Sequence, residues 1–128
     1  SLQDAALQAF GGKPAPAQAG LRRALAEGES AVVAVRQASI HLGKLRRISI
    51  LQNAGAGAKE AAKAAGVFWK QEAEMLRQAR AWRLDDLDRV LDSVNTADLA
   101  TRTTGMPEAL IVERLLLEIA ARARRLGL

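Results

Sequence analysis

The sequence predicts an all-α protein, a compact antiparallel bundle of about five to seven helices. The composition is rich in alanine, leucine and arginine, which favour helices, whereas aromatic residues make up only 3%. Apolar residues also recur at spacings of three and four along most of the chain, which is the period of one helix face. With 128 residues, 49% of them hydrophobic, the chain has the length and apolar content of a single domain with its own core.

The N-terminal part predicts two short helices separated by a loop. Residues 2–10 place their apolar side chains on one face, and the glycines and prolines of residues 11–16 end the pattern. This loop lacks the glycine spacing and the final Gly-Lys-Ser/Thr of a phosphate-binding loop. The second helix is predicted from about residue 17 to residue 26.

The third helix is predicted over residues 31–53, with Ser30 as its N-cap. Its apolar residues form two separate stripes, which implies two packing surfaces. One stripe belongs to the domain core, and the second stripe predicts a subunit interface. His41 lies near the edge of a stripe and is expected to be a packed or surface histidine rather than a ligand. The second stripe consists of Val33, Ile40 and Leu51.

Residues 58–65 and 68–82 predict two further helices around Gly66. At these spacings the aromatic side chains are expected in the core, because a base-stacking platform needs them exposed among basic residues. A short helix, a glycine turn and a basic helix also resemble a DNA-reading helix-turn-helix, and a regulatory domain of that kind is the alternative function. Against it, the first turn of the reading helix would hold Phe68 and Trp69 instead of polar side chains.

The strongest pattern runs from Leu84 to Leu126 and predicts two long helices joined at residues 103–107. Three aspartates crowd the first turn of the first of these helices, where the helix dipole favours negative charge. Gly105 is suited to end that helix, and Pro107 to begin the next, because proline lacks an N–H that the first turn does not use. The last helix is apolar around more than half of its circumference and is expected to be nearly surrounded by protein.

Two acids, Asp98 and Glu113, interrupt the apolar faces of these last two helices. A buried, unpaired carboxylate costs several kcal/mol, so each is expected to find a partner or a route to solvent. A catalytic carboxylate pair is one interpretation. Internal pinning of the two helices is favoured, because no histidine, nucleophile or set of metal ligands is placed to complete a mechanism.

The charge distribution separates the chain into two parts. Residues 1–83 hold 13 Lys/Arg against 6 Asp/Glu, a net charge of +7, whereas residues 84–128 hold 6 against 8, a net charge of −2. The basic part could face DNA or an acidic partner, and the predicted contact residues lie on the third helix. These residues are Arg36, Lys44, Arg46 and Arg47.

Several classes of site are absent from the sequence. There is no cysteine, which excludes disulfides and thiolate metal sites, and a single histidine without a set of acids does not build a zinc site. No cofactor is expected. No apolar run reaches the ~18 residues of a membrane span, and no membrane partner is expected. The chain starts with Ser1 and runs directly into helical sequence, so we expect a C-terminal fragment of a longer protein.

The order of segments resembles the C-terminal domain of the delta subunit of bacterial DNA polymerase III, which is part of the clamp loader. The resemblance covers essentially the whole chain and rests on arrangement, since it includes no catalytic signature. It is carried by four stretches, which are residues 23–30 (RALAEGES), 61–70 (AAKAAGVFWK), 76–82 (LRQARAW) and 97–105 (ADLATRTTG) leading to 113–117 (ERLLL).

The resemblance implies a noncatalytic collar domain covering residues 1–128. In that family the collar packs against the collars of the gamma/tau and delta prime subunits and closes a five-membered ring. The sliding clamp would be contacted only through upstream domains, and primed DNA would be bound by the full complex in the cytoplasm. The resemblance also implies that Asp98 and Glu113 make fixed polar contacts within the bundle, with Arg102 or Arg114 as partners.

Overall fold

All regular structure in the chain is helical. A computed structural model describes residues 1–128, and the all-α prediction is confirmed. A 3₁₀ turn, Trp69–Gln71, leads directly into the fifth helix. The seven α-helices are α1 (Leu2–Phe10), α2 (Pro14–Ala26), α3 (Ala31–Asn53), α4 (Ala58–Ala64), α5 (Glu72–Ala81), α6 (Leu84–Thr101) and α7 (Glu108–Arg125).

Serine side chains cap the N-termini of α1 and α3. The Ser30 hydroxyl accepts hydrogen bonds from the backbone N–H groups of Val32 and Val33 at 3.1 and 3.4 Å, as the sequence predicts for an N-cap. Helix α2 begins at Pro14, three residues earlier than predicted. Prolines interrupt a helix only beyond its first turn, because the first N–H groups have no partner within the helix.

Helix α3 is the centre of the bundle. It packs against α1, α4, α5, α6 and α7, and Leu42, Leu45 and Ile48 on its inner face are almost completely buried. Burying a side chain of this size contributes roughly 1.5–3 kcal/mol to stability. The inner face of α3 therefore contributes much of the stability of the core.

Helix α7 lies against four neighbours, α1, α2, α3 and α6. Its inner residues, among them Leu115, Leu116 and Ile119, are buried, as the wide apolar arc predicts. Its enclosure is incomplete, because Leu110 is exposed and the side between α6 and α7 remains open. None of the seven helices combines the length and the hydropathy needed to cross a bilayer.

Side chains of α5 bind the carbonyl groups at the C-terminal end of α1. The indole Nε1 of Trp82 donates to the Phe10 oxygen at 2.9 Å, and the Gln78 amide donates to the Leu7 oxygen at 3.0 Å. Arg77 donates to the Gly11 oxygen at 3.2 Å. A helix leaves its last four carbonyls without partners inside the helix. The N–H groups of residues 11–13 bond the Leu7, Gln8 and Ala9 oxygens. Side chains from about 70 residues further along the chain supply the donor for Phe10 and a second donor for Leu7.

The turn between α1 and α2 also meets the end of the chain. Gly12 has a φ of +77°, and a Cβ atom at this position would lie 3.1 Å from the Leu128 backbone and 3.3 Å from the Arg124 side chain. Only glycine combines the left-handed backbone with so little space. The turn thus joins the first, second and last helices.

His41 is the buried titratable group of the core. Its ring stacks on Phe10 with centroids 4.7 Å apart, and its Nε2 lies 2.7 Å from the Gln78 side-chain oxygen. Because the Gln78 amide nitrogen already donates to Leu7 and Glu74, its oxygen must accept, and His41 Nε2 carries the proton. Burial lowers the pKa of His41 from 6.5 to about 4. Lys44 also lowers this pKa, whereas the Gln78 hydrogen bond and Glu74 raise it.

The free energy of unfolding is expected to fall by about 2 kcal/mol between pH 7 and pH 5. The unfolded chain takes up a proton at His41 near pH 6.5, whereas the folded chain resists it down to about 4. The stabilisation is thus complete above pH 6.5 and is lost as the pH falls towards 4. Urea unfolding at several pH values measures this change in the free energy of unfolding. A His41→Gln variant, which cannot titrate, should show a flat profile in this range, and a slope equal to wild type would contradict the assignment.

Candidate interaction surfaces

The two acids of the last helices have different partners. Asp98 accepts a hydrogen bond from Arg102 Nε at 3.2 Å within α6, and the two side chains are 42% and 58% exposed. Glu113 instead accepts from Gln18 at 2.6 Å and from Arg22 at 2.9 Å. Asp98 is therefore a surface residue, and Glu113 joins α7 to α2.

The structure corrects one expectation about this pair, which is the partner of Glu113. Neither Arg102 nor Arg114 pairs with Glu113, because α2 lies between α7 and solvent on that side and supplies Gln18 and Arg22. Glu113 retains 18% exposure of its side chain. The Gln18 hydrogen bond is the main cause that lowers the pKa of the Glu113 carboxyl; burial opposes it, and the charge and hydrogen bond of Arg22 lower the pKa further. The interaction stabilises the fold above pH 4.5 and weakens as the pH falls below that value.

The second apolar stripe of α3 is mostly covered by the chain itself. Val33 and Leu51 are partly buried against the core, and only Ile40 is exposed. The chain turns back after α3, where the N–H of Ala56 donates to the Leu51 oxygen at 2.9 Å, and both residues pack against the core. A continuous exposed stripe for subunit contact is therefore absent, and Ile40 belongs to a different surface.

The four basic residues of α3 that were predicted to contact DNA or an acidic partner differ in their surroundings. Arg46 forms an ion pair with Asp88 of α6 and so holds two helices together. Arg36 lines a small cleft between α3 and α6 with Asp98 and Arg102, and Arg47 is exposed. Lys44 lies beside Ile40 and Val67 at the edge of α5.

The aromatic pair Phe68–Trp69 is exposed, which the sequence did not predict. The side chains are 51% and 72% exposed, and their rings lie 5.9 Å apart. Residues 66–71 form a glycine turn and a 3₁₀ turn, so α5 starts at Glu72 instead of residue 68. Trp82 is the aromatic residue of this segment that does lie in the core. The side chains of two adjacent helical residues point about 100° apart. This spacing could have indicated from the sequence that Phe68 and Trp69 do not both face the same core.

One lysine lies against this aromatic pair and a second lines the depression next to Val67. The Lys70 ammonium lies 5.4 Å from the centroid of the Trp69 ring, a cation–π distance. Lys44 and Ile40 line the same shallow depression as Val67. We call this set the aromatic surface, and it consists of Ile40, Lys44, Val67, Phe68, Trp69 and Lys70.

A groove of about 420 Å³ runs between α6 and α7. Its apolar lining comes from Ala97 and Ala100 on one side and from Ile111 and Leu115 on the other. Leu99 beside it is 71% exposed, and Leu110 and Met106 are also exposed. We call it the α6–α7 groove. Arg114, expected to bind an acid inside the bundle, lies on its rim.

The geometry gives no support to a helix-turn-helix. The helix that would read DNA, α5, turns Met75, Gln78 and Ala79 into the core, and its basic Arg77 is held by Glu74 at 2.8 Å. The residues that would form its first turn lie in the 3₁₀ segment. No cluster of three or more histidine, cysteine or acidic side chains is arranged to bind a metal ion.

No protein-family model and no curated protein matches the chain. A solved structure is similar to the chain. The DNA clamp loader delta protein of Bacillus subtilis superposes with a TM-score of 0.76 at 17% sequence identity, over 95% of this chain. The chain has the fold of a clamp loader delta protein. It spans 37% of the length of that structure.

The different partners of Asp98 and Glu113 predict that removing the two carboxylates lowers the stability by different amounts. Asp98→Ala should lower the free energy of unfolding by less than about 1 kcal/mol, because an exposed ion pair within one helix contributes little. Glu113→Ala should lower the melting temperature more, since it removes the acceptor shared by two side chains of α2. Thermal unfolding of both variants at pH 7 tests this order. Equal melting temperatures would show that the α2–α7 contact does not stabilise the fold.

Proposed function

We propose that the chain is the noncatalytic oligomerisation domain of the delta subunit of a bacterial DNA polymerase III clamp loader. In this role it helps to assemble the complex that opens the sliding clamp and loads it on primed DNA. The observation that carries the proposal is the fold likeness to the clamp loader delta protein, which extends over 95% of the chain.

Exposed apolar surface supports an oligomerising role. Trp69 and Leu99 are each more than 70% exposed, and they belong to two separate surfaces, the aromatic surface and the α6–α7 groove. Clusters of large apolar side chains in solvent mark sites where other molecules bind. A subunit that contacts a neighbour at one surface and DNA at another needs two such surfaces.

The proposed partners follow from this role. The collar surfaces would bind the gamma/tau and delta prime subunits in the cytoplasm. The sliding clamp would be contacted by other parts of the delta subunit, since the chain spans only 37% of the similar structure. Catalysis is not assigned to this domain, because no histidine and no metal-ligand cluster accompanies the Ser93–Glu118 hydrogen bond in the α6–α7 groove.

The aromatic surface adds a DNA contact within the assembled loader. Exposed aromatic rings flanked by lysines bind single strands by stacking on the bases and by attracting the phosphates. Phe68, Trp69 and Lys70 meet both requirements. Residues 1–83 also carry the positive charge of the chain, +7 against −2 for the remainder. We assign this surface to the single-stranded part of primed DNA.

Deletion of residues 1–128 from the delta subunit is expected to abolish assembly with the gamma/tau and delta prime subunits of the same organism. The collar contacts would be lost while the clamp-binding part remains. Size-exclusion chromatography with light scattering measures the complex, and binding of the truncated subunit to the sliding clamp is the control for its folding. Normal assembly of the truncated subunit would contradict the proposed function.

Trp69→Ala is expected to weaken binding of single-stranded DNA by the assembled loader about tenfold, because one base–aromatic stack contributes ~1–3 kcal/mol. Fluorescence anisotropy with a labelled oligonucleotide measures the affinity. Trp69→Phe keeps an aromatic face and should retain most of it. If Trp69→Ala impairs subunit assembly and leaves the DNA affinity unchanged, the surface binds protein and not DNA.

A further inference from the structure

The α6–α7 groove owes its depth to small side chains on α6. Ser93, Thr96, Ala97 and Ala100 line one wall, where leucine-sized residues would fill the space. Ile111 and Leu115 form the opposite wall on α7. The lined part extends from Asp92 to Ala100, about 12 Å at 1.5 Å per residue. This length corresponds to a little more than two turns of a third helix laid between the two.

Exposed leucines extend the apolar surface beyond both edges of the groove. Leu99 on α6 precedes the lining residue Ala100, and Leu110 on α7 precedes the lining residue Ile111. Met106 in the connecting turn is exposed at one end. A ligand held inside the groove would leave these flanking side chains in solvent. A helix lying along the groove would cover them as well, because its side chains reach past the walls on both sides.

The charges on the rim are separated along the groove. Asp92 and Glu118 lie at the end far from the 102–107 turn, and Arg114 lies nearer to the turn. Asp92 and Arg114 form no ion pair within the chain, and Glu118 accepts only a hydrogen bond from Ser93 at 3.2 Å. The two acids repel the phosphates of a nucleic acid. They attract a basic side chain at one end of a bound helix.

We propose that the α6–α7 groove binds an amphipathic helix of a neighbouring clamp loader subunit, oriented with a basic side chain against Asp92 and Glu118 and an acidic one near Arg114. This inference rests on the proposed function and identifies which surface of the domain receives the neighbour. The groove and the two flanking leucines supply the apolar contact. The three rim charges select one direction of the helix, because the reverse direction would bring like charges together.

The test fills the groove and measures assembly. Ala100→Trp in the complete delta subunit places an indole in the groove, and association with the gamma/tau and delta prime subunits should weaken at least about tenfold. Ala19→Trp makes the same change at an exposed position of α2 and should leave the affinity unchanged. Sedimentation velocity at several concentrations gives the dissociation constants, and thermal unfolding checks that each variant is folded.

Two further variants separate packing from charge. Leu99→Asp changes a side chain that is 71% exposed, so the fold tolerates it, and it should weaken association even if Ala100→Trp fails to fold. Asp92→Lys should weaken association more at low salt than at high salt. The lysine would repel the basic side chain of the partner, and salt screens this repulsion.

The outcomes distinguish the inference from the proposed function. If the wild-type subunit does not associate with the other subunits at all, the proposed function is wrong and the inference falls with it. If the wild type associates and the folded groove variants associate equally well, only the inference is overturned, and the neighbour binds elsewhere. Weakened association of Ala100→Trp and Leu99→Asp, with Ala19→Trp unaffected, supports it.

Discussion

The binding of α1 carbonyls by α5 side chains is the contact on which the rest of the fold depends. Gln78, Trp82 and Arg77 each donate to a carbonyl at the end of α1. Trp82 is the donor for the Phe10 oxygen, and a buried carbonyl without a partner costs about 1–3 kcal/mol. These bonds bring residues about 70 positions apart together. His41 of α3 closes the same network through Gln78, so three helices share one set of polar contacts inside an apolar core.

This fixed position of α5 explains the aromatic surface. Because Gln78, Ala79 and Trp82 must face α1 and α3, the start of the segment has to approach the bundle from outside. The chain does so through the Gly66 turn and a 3₁₀ turn, which leave Phe68 and Trp69 in solvent. The exposed pair is therefore a consequence of how the segment enters the core, and it is available for a partner.

The two exposed surfaces differ in shape and in charge. The aromatic surface presents exposed rings beside lysines, whereas the α6–α7 groove is a trough with two acids on its rim. Exposed rings suit the flat faces of bases, and a trough between two helices suits a third helix. The proposed role in a clamp loader would use the first surface for DNA and the second for a neighbouring subunit.

The all-helical fold, the Ser30 cap and the core face of α7 follow from the sequence, because they depend on local propensity and on a period that packing then reinforces. The sequence did not reveal that Glu113 bonds to α2, that Val33 and Leu51 are covered, or that Phe68 and Trp69 are exposed. These three points depend on how the helices pack against one another. A side chain's partner is set by which helix lies opposite it, and periodicity within one helix carries no information about its neighbours.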